Sequence, residues 1–391
     1  MNVASRRGYV SAVVWLAATA GSALVAGLAV HSHSASEGVL NHELAMSAPR
    51  LDPALTYHGQ QSCTGSGCHS GEAKKQSGRM VGDENTIWEE KDPHAKAFKT
   101  LTNDKSKKIA DTMKLGDASK AAKCLDCHAM DAAKKGEKLK DLAKEGVSCE
   151  SCHGASEKWK DPHQKAGWTD EQRKAIGAAG LKDKFGLIDT NDLAVRASMC
   201  VSCHLKIDKD MVDAGHPELD FEMYSYNNYK FLEKYQVHWD DADHPDPSNA
   251  RAARMWAIGQ VAAAASAEEN KKGWGGDPRA EAMAKLFGSG KEAVKAAFGS
   301  DDIAALNKAD LPKAKISAAA DAVVAMADGY KSGKEFKHQR SVIASGLEAL
   351  ATAAAGGKDL PDAVLDAVEA AQKEEGDAWI AALKKIAAAA K

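Results

Sequence analysis

The sequence predicts a mainly α chain with little regular sheet, divided into a cysteine-bearing region and a cysteine-free all-α bundle. Three observations lead there. All eight cysteines lie between Cys63 and Cys203. The region around them, 57–248, is rich in lysine, glycine, proline and histidine, with short helical patches and no alternating strand pattern. From 249 to 391 alanine dominates, with periodic Leu, Ile, Val and Met, and breaks that contain glycine and proline.

The N-terminal element is residues 1–30. Residues 9–30 carry no charge and follow Arg6 and Arg7. A signal-peptide core usually has about 7–15 apolar residues, and this run is long enough to span a bilayer. The positive flank leaves the N-terminus in the cytoplasm and everything after residue 30 outside. An uncleaved inner-membrane anchor is the expectation; Gly27-Leu28-Ala29 is a small-residue site that keeps a cleaved signal peptide open. Residues 31–56 read as a polar tether.

In 57–248 every second cysteine is followed at once by histidine. The runs are Cys63-Thr-Gly-Ser-Gly-Cys68-His69, Cys124-Leu-Asp-Cys127-His128, Cys149-Glu-Ser-Cys152-His153 and Cys200-Val-Ser-Cys203-His204. Histidine is 14 of 391 residues, so four such placements by chance have a probability on the order of 10⁻⁶. Four disulfides or zinc held by paired cysteines leave those histidines unexplained. Covalent haem c explains them. Two thiols add to the two vinyl groups of one porphyrin, and the adjacent histidine becomes the proximal iron ligand. Four haems are expected, with His69, His128, His153 and His204 as proximal ligands. The first motif has four residues between its cysteines; they must bulge, and Gly65 and Gly67 tolerate that. Four haems in such a short stretch would supply much of the apolar interior, in keeping with 6% aromatic residues. Only 20 residues separate His128 from Cys149, so the second and third haems are expected to be neighbours. Covalent haem attachment in bacteria takes place outside the cytoplasmic membrane, which agrees with a periplasmic location.

The bundle reads as four or five helices: Arg251 to Glu268, Pro278 to Phe287, Ala314 to Ala327, Phe336 to Ala355 and Pro361 to Ala390. Nothing in it carries chemistry. It is expected to be a packed cap, with a docking or oligomerisation surface as the functional alternative. Net charge is −3 and the sequence pI about 6.5, so no basic face speaks for nucleic acid.

Distal ligands are sought among the other histidines. His31, His33, His42 and His338 read as surface or structural residues. Lys91-Asp92-Pro93-His94-Ala95-Lys96-Ala97 recurs as Lys160-Asp161-Pro162-His163-Gln164-Lys165-Ala166, with Trp88 and Trp159 just upstream. Asp as N-cap and Pro at N1 would fix each histidine in a rigid first turn. His94 and His163 are therefore distal candidates. His216 lies in the turn Ala214-Gly215-His216-Pro217, a dozen residues past the fourth motif. His238, before Trp239, and His244, before Pro245, are further candidates; His58 is a weaker one. Bis-histidine ligation lowers the reduction potential relative to His/Met.

The order of the four motifs, the His-Ala-Lys-Ala segment at 94–97 and Gly-Val-Ser-Cys-Glu-Ser-Cys-His-Gly at 146–154 resemble the cytochrome c554 family. The long first motif, 214–222 and His238-Trp239 resemble a branch of related multihaem cytochromes. The resemblance covers about residues 57–260. It implies a periplasmic tetrahaem electron carrier; in ammonia oxidisers such a carrier takes electrons from hydroxylamine oxidoreductase. It implies His94 as distal ligand of the third haem and His163 of the first. It implies a later ligand for the fourth, which suits His238 or His244 better than His216. The family's second haem lacks a distal ligand; His216, whose Ala-Gly-His-Pro setting is absent from the tetrahaem carrier, would fill that place.

The expected function is electron transfer between a redox donor and an acceptor, rather than catalysis. One alternative is reduction of a small nitrogen or sulfur species at a five-coordinate haem, with Asp126 and Lys123 as nearby proton donors. Another is an electron-transfer subunit of a larger complex docked through the bundle.

Overall fold

The computed structural model describes residues 54–65, 68–71, 74–76, 79–130, 142–164, 168–227 and 250–391. All lie in one unit of the chain, Asn41–Lys391. The expected anchor at 9–30, the tether, His238 and His244 fall outside the described residues. No helix among the described residues is long and apolar enough to cross a membrane.

The protein is mainly α, as its sequence predicts. The one sheet among the described residues is a two-stranded antiparallel ribbon, β1 (Lys74–Gln76) and β2 (Arg79–Val81). Helices in the motif region are short: α1 (Glu84–Lys91), α2 (Ala97–Thr100), α3 (Asp104–Thr112), α4 (Ala122–His128), α5 (Cys149–His153) and α6 (Lys160–His163). They continue as α7 (Asp170–Phe185), α8 (Leu193–His204), α9 (Lys209–Asp213) and α10 (Met223–Asn227). Side-chain caps punctuate them. Asn103 accepts from Ser106 N–H before α3, Asp192 from Ala194 and Val195 before α8, and Thr169 forms a capping box with Gln172 before α7. Each such cap contributes about 1 kcal/mol.

The C-terminal region holds seven helices: α11 (Arg251–Gly273), α12 (Pro278–Phe298), α13 (Ile303–Lys308), α14 (Lys313–Ala327), α15 (Lys337–Ala354), α16 (Asp362–Lys373) and α17 (Gly376–Ala388). Asp277 caps α12 and Pro278 takes its first position, as expected. Two sequence readings are corrected. The run from Pro361 to Ala390 is two helices, because Glu374 and Glu375 are extended and Gly376 has φ +69°. And α12 runs past Gly288 to Phe298. Gly290 is a packing glycine rather than a breaker: a Cβ there would come within 2.0 Å of Gln260 Oε1 on α11.

A single apolar core joins these helices, with Trp256, Phe287, Leu347 and Trp379 at its centre. It reaches back into α8 through Leu193, Ala194, Ala197 and Val201. The apolar clusters of the motif region are small by comparison. One gathers Leu101, Ala110, Cys124, Leu125 and Ala143 around the second motif; another joins Tyr57, Met130 and Ala155 beside the third.

Candidate haem centres

The three short motifs share one local structure. Each ends a helix, and its histidine is the last helical residue: His128 in α4, His153 in α5 and His204 in α8. Helical spacing puts cysteines at i and i+3 and the histidine at i+4 on one face. In α8 the other side, Leu193, Ala197 and Val201, is buried in the bundle core. The long motif is built differently, from turns, with Cys68 N–H donating to Gly65 O at 3.2 Å. Gly65 has no left-handed backbone, and a Cβ there would meet nothing within 4 Å; Gly67 lies outside the described residues. None of the eight cysteines is in a disulfide.

Histidines from distant parts of the chain face these motifs. His163 stacks opposite His69, ring centroids 6.3 Å apart and planes 10° from parallel. His216 faces His128 at 6.3 Å and 71°. His94 faces His204 at 5.7 Å and 81°, with their Nε2 atoms 3.4 Å apart. An imidazole nitrogen binds a first-row metal at about 2.0–2.1 Å, so two imidazoles on opposite faces of one iron hold their centroids about 6.3–6.5 Å apart. Two of the three pairs have that spacing and the third lies within an ångström of it. The donor set fits haem: two thiols, a histidine beside them, and a second imidazole opposite.

Five of the six imidazoles in these pairs have Nδ1 held by a neighbouring group. His69 Nδ1 is 2.9 Å from Glu84 Oε2, and His94 Nδ1 is 2.9 Å from Asp92 Oδ1. His128 Nδ1 meets Ala97 O at 3.2 Å and Thr100 Oγ1 at 3.0 Å. His216 Nδ1 donates to Pro217 O at 2.8 Å, and His163 Nδ1 to Lys160 O. Such contacts fix the tautomer and leave Nε2 as the ligating atom. The hydrogen bond that His69 donates to the Glu84 carboxylate raises the His69 pKa above its ordinary value. Burial opposes the same effect at His94, but the Asp92 carboxylate prevails and raises it. At His204 burial and the neighbouring His94 push the pKa down to about 4.

The devices that aim the distal candidates differ. Asp92, almost fully buried, caps the turn Pro93–Lys96 by accepting from His94 N–H at 2.9 Å, as the Asp-Pro reading predicts. The His94 carbonyl accepts from Val147 N–H at 3.1 Å, which pins the turn to the segment before the third motif. Gly146 permits this approach: its φ is +76°, and a Cβ would come within 2.6 Å of His94 O. The repeat at 160–166 is not capped this way. Trp159 occupies the N-cap without a side-chain bond, and Asp161 is inside α6; the Trp159 ring packs edge-on against His163 at 5.4 Å. The His216 turn is docked by Lys123 of α4, which pairs with Asp208 at 2.8 Å and Asp210 at 2.9 Å. Lys123 is thus engaged structurally rather than aimed at a substrate.

The pairings alter two expectations. His94 stands opposite the fourth motif's His204, not the third motif's His153. No described histidine faces His153 in this manner, and His238 and His244 lie outside the described residues. His58 donates its backbone N–H to Glu150, and its ring bonds Ser156 Oγ at 3.0 Å.

Contacts between motifs set their order. The Cys63 and Cys149 side chains lie within hydrogen-bond reach of each other. Cys127 and Cys203 are placed in the same way. Cys152 feels the charges of both Cys200 and Cys203. The first motif therefore adjoins the third, the third the fourth, and the fourth the second. The second and third motifs meet through their flanks, where Met130 N–H donates to Gly146 O at 3.0 Å and Ser148 Oγ donates to Met130 Sδ at 3.5 Å.

Residues 66–154 match the family described as cytochrome c554 and c-prime. The match begins inside the long motif, after Cys63, covers the second and third motifs and ends before the fourth. No curated protein and no solved structure matches the chain.

Proposed function

We propose that this chain, a cytochrome c554-like c-type cytochrome of electron transfer with covalently bound haem c, is a periplasmic tetrahaem carrier ordered by motif as one, three, four, two. The observation that carries the reading is the set of three histidine pairs, two at trans-ligand spacing and one within an ångström of it, each joining a motif histidine to one 88 to 110 residues away in sequence. Bound haem supplies a one-electron couple. The chain's residues would do the rest: the cysteines would fix each group, the pairs His69 with His163, His128 with His216 and His204 with His94 would hold three of the irons, and Glu84 and Asp92 would set the electron-donating strength of two of those ligands. His216 opposite His128 leaves the second motif without an open face. That favours a carrier over a reductase there. The partners are a redox donor and a redox acceptor, with the N-terminal segment holding the protein to the periplasmic face of the inner membrane or removed on export. The Ala-rich bundle covers the fourth motif and is available for docking or self-association.

The test is intact-mass spectrometry of the exported protein with a pyridine haemochrome assay. Four haem additions per chain are expected. Three or fewer, with a disulfide or free thiols at one motif, would overturn the tetrahaem reading.

A further inference from the structure

His338 of the C-terminal bundle is linked to the fourth motif through Asp220 and through Tyr226 of α10, both outside the bundle. Tyr226 packs its ring edge-on against the His204 imidazole, centroids 4.8 Å apart. The Tyr226 hydroxyl donates to Asp220, with Oδ1 and the backbone oxygen each at 2.9 Å. The other carboxylate oxygen of Asp220 lies 2.8 Å from Nδ1 of His338, near the start of α15. The Asp220 side chain is 26% exposed and that of His338 37%. A titratable imidazole at the solvent edge is thus linked, through one carboxylate and one phenol, to the ligand that holds the fourth centre. The motif chemistry uses none of these three residues.

We propose that His338 is a proton-binding site coupled to the fourth redox centre, taking up a proton from water when that centre gains an electron. The inference rests on the reading that His204 is an axial ligand. One electron from the redox donor protein converts the ferric centre to ferrous. One proton from bulk water bonds to His338 Nε2, while its Nδ1–H stays with Asp220. Electron and proton charges cancel, and both leave on reoxidation. The uptake per electron lies between zero and one proton. By linkage, each tenfold difference in His338 proton affinity between the two redox states lowers that centre's potential by 59 mV across its pH window.

The groups facing His338 support protonation near neutrality. Asp220, by hydrogen bond and charge, and Glu218, by charge, raise its pKa above 6.5; burial and Lys337 oppose them. The pair therefore titrates above the ordinary histidine range, and the coupling lies in that window. Asp92, His94 and His128 also act on His204, so the assignment must be tested at His338 itself.

The experiment uses the full four-haem protein. The midpoint potential of the centre at Cys200-Cys203-His204 is followed from pH 6 to pH 9 in wild type, His338→Gln and Tyr226→Phe. The wild-type potential is expected to fall with rising pH, and His338→Gln to abolish that fall while haem content stays at four. In parallel, histidine-labelled wild type is titrated by NMR, fully oxidised and fully reduced; His338 should bind its proton at least threefold more tightly in the reduced form. Equal affinities, or a slope that survives His338→Gln, would overturn the proposal. A missing haem at the fourth motif would instead show in the haem assay and overturn the ligand reading beneath it.

Discussion

Glu84 is where a single atom exchange tests how the chain tunes a redox centre. Its Oε2 lies 2.9 Å from His69 Nδ1 and also accepts from Gly82 N–H at 2.8 Å. Glu84→Gln keeps the size and one acceptor oxygen but removes the charge. A hydrogen bond to a charged group contributes about 1.5–3 kcal/mol, against about 0.5–1.5 for a neutral one. The side chains of His69 and Glu84 are 39% and 22% exposed, so solvent screens part of the difference. About 0.5–1 kcal/mol remains as preferential stabilisation of the ferric state. With a tenfold change worth about 1.4 kcal/mol and 59 mV for one electron, the first centre should rise by roughly 20–40 mV. The other centres should move far less, since none of their ligands touches Glu84. Potentiometric titration followed by optical and paramagnetic resonance spectra reads this directly. An unchanged or lowered potential for the first centre would refute the claim that the carboxylate makes His69 a stronger donor.

Three further outcomes follow from the same contacts. His163→Ala should leave the first centre five-coordinate, visible as a high-spin ferric signal and as carbon monoxide binding gained by one haem per reduced chain. Glu150 is fully buried and accepts from the backbone N–H groups of His58, Gly59 and Ser156; Glu150→Ala strands three donors and should cost at least about 3 kcal/mol in chemical denaturation. Burial raises the Glu222 pKa to about 7 from 4.5 although the group caps α10. The folded state then binds the proton more tightly than the unfolded state. Stability should therefore fall as pH rises from 4.5 to 7, by about 3 kcal/mol in all, and Glu222→Gln should flatten that fall between pH 5 and pH 8.

The sequence made the attachment chemistry legible because it is local: a haem's two thiols and proximal histidine lie within five to seven residues. Helix boundaries marked by Asp277-Pro278 and the Asp92-Pro93 cap were legible for the same reason. The histidine pairing was not. His94 has the His-Ala-Lys-Ala setting that the family resemblance ties to the third haem, yet Val147 and Gly146 clamp its carbonyl to the segment before that motif while its ring reaches His204. Sequence distance also hid a neighbour, because α8 enters the bundle core and brings the fourth motif against both the second and the third. The second Lys-Asp-Pro-His copy repeats the letters but not the cap, since α6 begins two residues earlier in the repeat, with Trp159 in the cap position. His338 looked like an isolated bundle residue. Its role depends on Asp220, 118 positions away, and no local pattern announces that.

The most direct test of the central claim is the paramagnetic resonance spectrum of the fully oxidised protein. Parallel imidazole planes on one iron split its two π-type d orbitals and give a rhombic low-spin signal; crossed planes leave them nearly degenerate and give a highly anisotropic one. The angles of 10°, 71° and 81° predict a rhombic signal from the first centre and anisotropic signals from the second and fourth. Rhombic signals alone, or high-spin iron at two or more haems, would contradict the histidine pairs on which the account stands.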